Sequence, residues 1–212
     1  MCPINNKKKY LLGIDLGSGS VKLTLLTREG GIAATSICEY PTVYPCVGWA
    51  EQEPQAWRTA LHTGIIQLLK SSGAEADEIA AIAPDAATHT AVLLGDDMVP
   101  IEQAILWTDQ RSFQEVENLN KYHKDVIFNE TLHSPTTVWT LPQLMWIKKN
   151  KPEIWSKTKY ILFAKDYLRY CITGTLGTDN IDAMGSMIYD TDKGSWSDTI
   201  CGIAGIPKDW LP

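Results

Sequence analysis

A short run of glycine and serine near the start of the chain has the composition of a phosphate-binding turn. The run consists of Gly17, Ser18, Gly19 and Ser20. Residues this small let backbone N–H groups and hydroxyls approach a polyphosphate closely. An apolar run that starts at Tyr10 precedes the turn and reads as a strand. These four residues are therefore candidate phosphate ligands.

The residues around the turn indicate which kind of phosphate site it forms. Glycine loops of the Walker and Rossmann type open a helix, whereas residues 21–25 alternate apolar and polar, which predicts a second strand and a β-hairpin. Asp15 ends the first strand, where an unpaired charge is unfavourable, and a hydrated Mg²⁺ beside it would explain its presence. Lys22 could then face a phosphate oxygen. The alternative is a plain hairpin in which Asp15 caps the turn and Lys22 is solvated.

Two further stretches carry residues that could bind a polar substrate. His89 lies in a connection between two strand-like segments, where a neutral imidazole could exchange hydrogen bonds with a hydroxyl; the alternative is an ordinary surface-loop histidine. Trp107 could offer an apolar wall to C–H groups, and Asp109 could accept from hydroxyls with Arg111 as its partner. The alternative is that Trp107 packs in the core while Asp109 and Arg111 cap the next helix.

The elements that must position these residues follow from periodicity and breakers. A three-strand meander precedes alternating helices and strands, which indicates a mixed α/β layer structure in one domain spanning residues 1–212. The predicted strands after the first two are Ile32–Tyr40, Ile79–Ala83, Ala91–Leu94, Ala104–Leu106 and Tyr160–Phe163. The predicted helices are Gln55–Leu69, Ser112–Tyr122 with Phe113, Val116, Leu119 and Tyr122 on one side, and segments that begin at Trp139, Pro152 and Lys165.

Composition narrows the class of protein. With 44% hydrophobic residues in 212, the chain can build a sizeable core. Its net charge of -6 disfavours a nucleic-acid partner. Five cysteines without a Cys-x-x-Cys pair argue against a disulfide framework or a zinc site and favour reduced thiols. No apolar run is long enough to span a bilayer, so we expect a soluble cytoplasmic protein without a membrane partner.

The hairpin text Gly-Ile-Asp-Leu-Gly-Ser-Gly-Ser-Val-Lys at 13–22 resembles the opening phosphate hairpin of the sugar-kinase, actin and Hsp70 superfamily, and is most similar to that of FGGY carbohydrate kinases of the xylulokinase-like kind. Other segments are similar to text of the same family. They are 48–52, 89–94, 105–111, 139–146, 165–168 and 178–183. The resemblance covers nearly all of residues 9–212 but only the first half of the family, its N-terminal domain.

The resemblance implies a ribonuclease-H-like domain with a mixed β-sheet flanked by helices. It also implies an ATP-dependent kinase that transfers the γ-phosphoryl group to a hydroxyl of a ketopentose or related polyol. ATP and Mg²⁺ are the implied cofactors, with Asp15 at the metal and Gly17, Ser18, Gly19, Ser20 and Lys22 at the phosphates. The implied substrate-binding residues are Thr88, His89, Trp107, Asp109 and Trp139.

Differences from the sequence motifs of the family leave the identity of the substrate undecided. Thr88 and Thr90 stand where similar kinases have Met and Gly, so glycerol, gluconate or ribulose are alternatives to xylulose. Gln143 replaces the usual Lys. Trp49 and Glu51 are expected to be architectural, and Trp146 and Trp155 to pack. The carboxylates of Asp166, Asp179 and Asp182 are either helix caps or cleft residues.

The catalytic aspartate of the resembled family lies in its second domain, so we expect no catalytic base up to Pro212 and an inactive isolated chain. Kinases of this kind often dimerise, so a homodimer is one expected assembly. The non-enzymatic alternative is a nucleotide-binding module of the actin and Hsp70 type, which shares the hairpin. Proteins of the actin and Hsp70 type do not need the sugar-binding motif that residues 105–111 resemble, so this motif favours the kinase.

Overall fold

The computed structural model describes residues 8–212, which form two compact units. Unit 1 comprises residues 8–41 and 55–87, and unit 2 comprises residues 42–54 and 88–212. The strands of the described part are β1 Tyr10–Leu16, β2 Ser20–Thr27, β3 Ile32–Glu39, β4 Glu51–Gln52, β5 Ile79–Ala86, β6 Ala91–Leu94, β7 Ala104–Ile105, β8 Tyr160–Phe163, β9 Tyr189–Asp190 and β10 Ser195–Trp196. The prediction of one domain over residues 1–212 stays a prediction, and its first seven residues lie outside the described part.

Helices make up much of the remaining chain. They are α1 Pro54–Ser72, α2 Phe113–Tyr122, α3 Lys124–Thr131, α4 Thr140–Asn150, α5 Pro152–Lys157, α6 Ala164–Thr173, α7 Asn180–Gly185 and α8 Asp198–Ala204, with short 3₁₀ turns at Ala76–Glu78 and Lys208–Trp210. Pro54 and Pro152 each stand in a first turn, where the missing proline N–H leaves no helical bond unmade.

Unit 1 is built on a mixed four-stranded sheet in the order β3-β2-β1-β5. The first three strands are antiparallel neighbours, and β5 runs parallel to β1. Alternate residues of β1 and β2 are buried, as the period-two pattern predicts. Helix α1 approaches this face closely at Gly64, where a Cβ would lie 2.6 Å from Leu23 Cδ1. The predicted meander and the predicted helix at 55–69 are confirmed.

Strand β5 differs from its prediction. The sequence suggested a short buried strand at Ile79–Ala83, whereas the strand continues to Ala86 and most of its residues are exposed. It lies at the edge of the sheet, and within the described residues its ladder partner is β1. The sequence of an apolar, alanine-rich run does not by itself show whether the strand is buried in the centre of a sheet or lies at its edge. Because β5 extends further than predicted, Asp85 lies inside a strand and not in the following connection.

Unit 2 packs helices around short strands. Strands β6 and β8 pair antiparallel from Ala91 opposite Phe163 to Leu94 opposite Tyr160, which confirms both predicted segments. The core around them draws side chains from several helices. It includes Leu119, Ile127, Leu141, Leu144, Ile147, Ile161 and Ile200, all at most 2% exposed. Covering such side chains with apolar neighbours is the main term that stabilises this unit.

The side of helix α2 that faces the core differs from the predicted apolar side. Leu119 is fully buried, but Phe113 and Tyr122 are exposed, and the residue that joins Leu119 in the interior is Glu115. A helical spacing alone does not say which side faces the core when polar and apolar residues alternate on both sides.

Two compositional expectations can be compared with the described part. No helix in residues 8–212 is long and apolar enough to cross a membrane. Within the described residues Cys38, Cys46, Cys171 and Cys201 form no disulfide bond, and Cys2 lies outside them.

Candidate functional site

The β1–β2 turn is tied down through its carbonyl groups. The Gly17 N–H donates to the Ser20 carbonyl at 3.0 Å, and Tyr40 donates from its N–H to the Gly19 carbonyl at 3.1 Å. The Tyr40 hydroxyl donates to the Gly17 carbonyl at 2.5 Å. Three acceptors of the turn are therefore occupied within unit 1. This lowers the repulsion that an approaching anion would meet.

Tyr40 is a residue of this site that sequence reasoning missed. It is 7% exposed, and burial, together with the nearby Asp15 carboxylate, raises the pKa of its hydroxyl. The phenol is therefore a hydrogen-bond donor at neutral pH. No local signal marks it, because only the register of β2 with β3, which pairs Ser20 with Glu39, brings the next residue beside the turn.

Gly19 has no structural need to be glycine. Its φ does not lie in the left-handed region, and a Cβ added to it would meet no atom within 4 Å. Neither backbone strain nor crowding within the fold therefore excludes a side chain. The space over Gly19 is open to solvent, so a ligand can approach the backbone there more closely than any other residue type would allow.

Asp15 and Lys22 face each other across the hairpin. They are register partners, and Asp15 Oδ2 lies 3.6 Å from Lys22 Nζ, with the two side chains 53% and 55% exposed. On the other side of β1, Asp85 is the register partner of Asp15 and is also exposed. Within the described residues no three His, Cys, Asp or Glu side chains assemble into a metal cage. The hairpin thus exposes carboxylate oxygens next to one cation.

His89 is held inside unit 2 by its main chain. Its N–H donates to Asp182 Oδ1 at 2.8 Å, and its carbonyl accepts from the Thr140 hydroxyl. It is 8% exposed and adopts φ 52°, a left-handed conformation that is uncommon for a residue with a Cβ. Burial lowers the pKa of His89, although the Asp182 charge opposes this. The imidazole is therefore neutral at pH 7 and can both donate and accept one hydrogen bond.

Aromatic rings lie beside His89. The Trp139 ring is centred 5.2 Å from the imidazole, and His133 packs edge-on against Trp139 at 4.3 Å. The Trp139 indole N–H donates to the Ser134 carbonyl at 3.2 Å. The structure therefore brings together two predicted substrate residues, His89 and Trp139, and adds His133, which the sequence did not single out.

The other predicted substrate residues differ in exposure. Thr88 is exposed. Trp107 is 49% exposed, so its ring does not pack in the core. Asp109 is 1% exposed. Its Oδ1 accepts from the backbone N–H and Nε of Arg111, and its Oδ2 accepts from Arg111 Nη2 and the Ala50 N–H. All of its acceptor capacity is in use, so the geometry does not support a sugar contact by Asp109.

Arg111 is the centre of this buried cluster. It also donates to Glu51 Oε1 at 2.6 Å, and its guanidinium carbon lies 3.8 Å from the centre of the Trp49 ring. Trp146 packs edge-on against Trp49 at 5.2 Å. The architectural roles predicted for Trp49 and Glu51, and the packing role predicted for Trp146, are confirmed.

Of the carboxylates at the start of α7, Asp179 takes the capping role that the sequence allowed, and Asp182 takes neither of the two roles left open. Asp179 caps the helix by accepting from the N–H groups of Ile181 and Asp182. Asp182 is buried and accepts from His89, and its Oδ2 pairs with Lys165 Nζ at 2.8 Å. Burial lowers the pKa of Lys165, but hydrogen bonds with Asp179 and Asp182 outweigh burial and raise it.

Comparison with known proteins identifies the fold. The xylulose kinase of Bacillus subtilis is 32% identical over 204 residues, which cover 96% of this chain and 41% of that protein. A crystal structure of a xyloylose kinase from Brucella ovis is 29% identical with a TM-score of 0.90, and one of a gluconate kinase from Lactobacillus acidophilus is 27% identical with a TM-score of 0.89. Each covers 96% of this chain, which spans 42% and 41% of those two chains.

These similarities confirm the ribonuclease-H-like fold of sugar kinases. The chain spans less than half the length of the relatives that it matches. The family model for the N-terminal domain of FGGY carbohydrate kinases matches residues 10–212. The chain therefore belongs to the FGGY family of carbohydrate kinases and corresponds to its N-terminal domain.

Proposed function

We propose that this chain supplies the phosphate hairpin and the sugar-binding side of an ATP-dependent kinase for a ketopentose, with D-xylulose as the first candidate. The observation that carries the proposal is the turn at 17–20. Three of its carbonyls are engaged within the unit, and Gly19 leaves an open approach that the fold itself does not require. A turn of this kind favours an anion that must come close to the backbone.

The charges at the hairpin fit MgATP. An exposed ion pair such as Asp15–Lys22 adds little to stability, so both groups can exchange their partner for a ligand. Mg²⁺ keeps several waters and takes one or two protein carboxylates, and Asp15 is an exposed carboxylate of that kind. When bound, the ion would neutralise charge on the phosphates. Lys22 would hold a phosphate oxygen, as would hydroxyl and N–H groups of Ser18 and Ser20.

The sugar side rests on unit 2. The neutral His89 imidazole would bond a sugar hydroxyl or carbonyl, and the Trp139 and Trp107 rings would cover C–H groups. Thr88 adds an exposed hydroxyl. The Asp109 carboxylate already accepts hydrogen bonds from Arg111, so we assign Asp109 the role of supporting the segment that carries Trp107. The xylulose kinases among the relatives favour a ketopentose, and the gluconate kinase neighbour keeps gluconate as the second candidate.

In the proposed reaction a sugar hydroxyl attacks the γ-phosphorus, the bond to the bridging oxygen of ADP breaks, and the hydroxyl proton passes to a carboxylate. We expect that carboxylate to lie in a region that corresponds to the part of the related kinases outside their match to this chain. The isolated chain would then bind ligands without turnover. A cytoplasmic location and a homodimer remain parts of the proposal that rest on the family alone.

The deciding experiment is coupled ADP release by the complete gene product that contains this chain, with MgATP and D-xylulose, L-ribulose, glycerol or gluconate. We expect the strongest response to D-xylulose. A strong response to another compound would replace the substrate and keep the kinase. Silence with every compound, while MgATP still binds, would favour the nucleotide-binding module.

A matched pair of glycine variants tests the hairpin. Gly19→Ala should raise KM for ATP about tenfold or more, equivalent to about 1.4 kcal/mol, and leave KM for the sugar within about twofold. Gly31→Ala is the control, because it lies in the β2–β3 turn, also avoids the left-handed region, and its Cβ would meet only Thr27 Oγ1 at 3.5 Å. Equal effects of the two variants on ATP would contradict the assignment.

A further inference from the structure

The left-handed conformation of His89 is imposed from outside its own segment. A residue with a Cβ adopts φ 52° only when its surroundings hold it there, and such residues occur frequently at functional sites. The two groups that hold it come from different helices. Asp182 of α7 accepts from its N–H, and Thr140 of α4 donates to its carbonyl, and both are at most 1% exposed.

The imidazole itself is fixed by contact and not by a hydrogen bond to another residue. Among residues 8–212, no other residue hydrogen-bonds either ring nitrogen of His89. The ring lies against Trp139 on one side and against the backbone of Gly185 on another. The ring also bonds the backbone of His89 itself, so one nitrogen keeps its capacity for a ligand, while the position of the ring is set by its neighbours.

Gly185 provides the space in which the ring lies. A Cβ added there would stand 2.9 Å from His89 Cδ2, closer than real contacts of this kind, and 3.2 Å from His89 Cβ, tighter than most of them. The φ of Gly185 is not in the left-handed region, so its backbone would accept alanine. The residue closes α7, where alanine is otherwise the better helix former. The three atoms nearest to such a Cβ all belong to His89, so the requirement for glycine arises at its ring.

Asp182 is in turn held firmly. Its second oxygen pairs with Lys165 Nζ, and its own N–H is capped by Asp179 at 3.1 Å. The anchor of the His89 main chain therefore belongs to a network that ties α7 to α6.

We propose that Gly185 and Asp182 are positioning residues for sugar binding, which act through His89 by fixing the place and direction of its imidazole. The inference rests on the proposed function, because it takes the imidazole as a sugar ligand. Neither residue needs to touch the sugar. The ligand class is a polyol or keto sugar that presents one oxygen to a neutral imidazole.

A double-mutant cycle on the complete gene product tests this with D-xylulose and ATP as probes. Gly185→Ala should raise KM for D-xylulose about tenfold and leave KM for ATP within about twofold. In a His89→Ala background the same change should add less than about twofold, because no ring remains to be displaced. Gly202→Ala is the control, since it lies within α8 and its Cβ would meet no atom within 4 Å. Equal effects of Gly185→Ala in both backgrounds, or no effect on D-xylulose, would overturn the proposal.

Asp182 is tested by conservative rescue. Asp182→Asn keeps an oxygen that can accept from the His89 N–H, so its KM for D-xylulose should stay within about threefold of wild type, whereas Asp182→Ala should raise it about tenfold. Equal KM values for the two variants would contradict the anchoring role.

A second readout separates this proposal from the proposed function. The chain has four histidines, so the imidazole signals can be assigned by NMR with a His89→Gln variant. Gly185→Ala should shift the His89 signals and leave those of His62 and His123 unchanged; unchanged His89 signals would refute the positioning role whatever the substrate. A wild-type protein that releases no ADP with any sugar, with shifted His89 signals in Gly185→Ala, would refute the sugar-kinase function alone.

Discussion

Two acid–base pairs of this protein have a similar sequence context but differ in burial and in the distance between their charged atoms. Asp15 with Lys22 and Asp109 with Arg111 both place a carboxylate near a cation after an apolar strand. In unit 1 the two charged atoms lie 3.6 Å apart and both side chains are about half exposed. In unit 2 the distance is 2.8 Å, both side chains are 1% exposed, and Glu51 adds a second carboxylate.

The difference shows which pair can serve a ligand. A buried carboxylate has to be satisfied inside the protein, because an uncompensated charge there is strongly unfavourable. Asp109 meets that requirement with four hydrogen bonds and has no capacity left. Asp15 remains solvated and can exchange water or Lys22 for a ligand. The exposed pair is thus suited to binding and the buried pair to holding unit 2 in shape.

The largest effect should come from breaking the buried pair. Arg111→Met should lower the free energy of unfolding by about 3–5 kcal/mol, because Asp109 and Glu51 would be left buried without their cation. Urea denaturation of the variant against wild type measures this. Lys22→Met is the matched control and should change stability by no more than about 0.5 kcal/mol. Similar losses in the two variants would remove the distinction between the pairs.

A third carboxylate sharpens the comparison because it is buried like Asp109 but has no ion pair within the described residues. Asp166 is 2% exposed, and burial raises its pKa to about 6, with the nearby Asp182 charge adding to the rise. Because the folded pKa exceeds the unfolded value of about 3.9, the contribution of this group is full below pH 4 and is lost as pH rises through about 6.

Asp166→Asn should remove that pH dependence. The stability of wild type should fall relative to the variant between about pH 4 and pH 7, by up to about 3 kcal/mol. Urea titrations at several pH values measure the difference, in which the other ionisable groups cancel. A difference that does not change with pH would show that folding does not raise the pKa of Asp166.

The exposed pair should affect binding and leave stability alone. Asp15→Asn should weaken MgATP binding by the complete gene product about tenfold or more, while the free energy of unfolding stays within about 0.5 kcal/mol. Calorimetric titration with MgATP and with Mg²⁺-free ATP measures the affinity. Glu29→Gln, an exposed carboxylate in the β2–β3 turn, is the control. A loss of stability in Asp15→Asn would place this residue with Asp109.

Local pattern was sufficient for most of the fold. Alternation predicted the meander, and short apolar runs predicted β6 and β8 at their observed bounds. These features depend on neighbouring residues, as does the turn at 17–20. Glycines and serines between two alternating strands define it without help from distant parts of the chain.

Features that depend on long-range pairing were not predictable. Whether Asp109 faces a ligand or Arg111 depends on Ala50 and Glu51, which lie about 60 positions away. The need for glycine at 185 arises from its contact with His89, and the exposure of β5 follows from its place at the edge of the sheet. A single sequence contains the residue types for these contacts but no measure of their proximity.

The smallest effect should come from Tyr40, a buried side chain that bonds the exposed turn. The Tyr40 hydroxyl donates to the Gly17 carbonyl, and Tyr40→Phe removes this bond with little change in packing. We expect a loss of about 1 kcal/mol in urea denaturation, the usual net value of one hydrogen bond.

Tyr44→Phe is the control, because Tyr44 is 71% exposed and should tolerate the change. The effect of Tyr40→Phe on ATP decides how the turn works. If Tyr40 holds the turn in its binding conformation, KM for ATP should rise about two- to threefold along with the stability loss. An unchanged KM would mean that the turn keeps its shape through the backbone bonds of Gly17 and Gly19, and that the exposed site is independent of the buried interior.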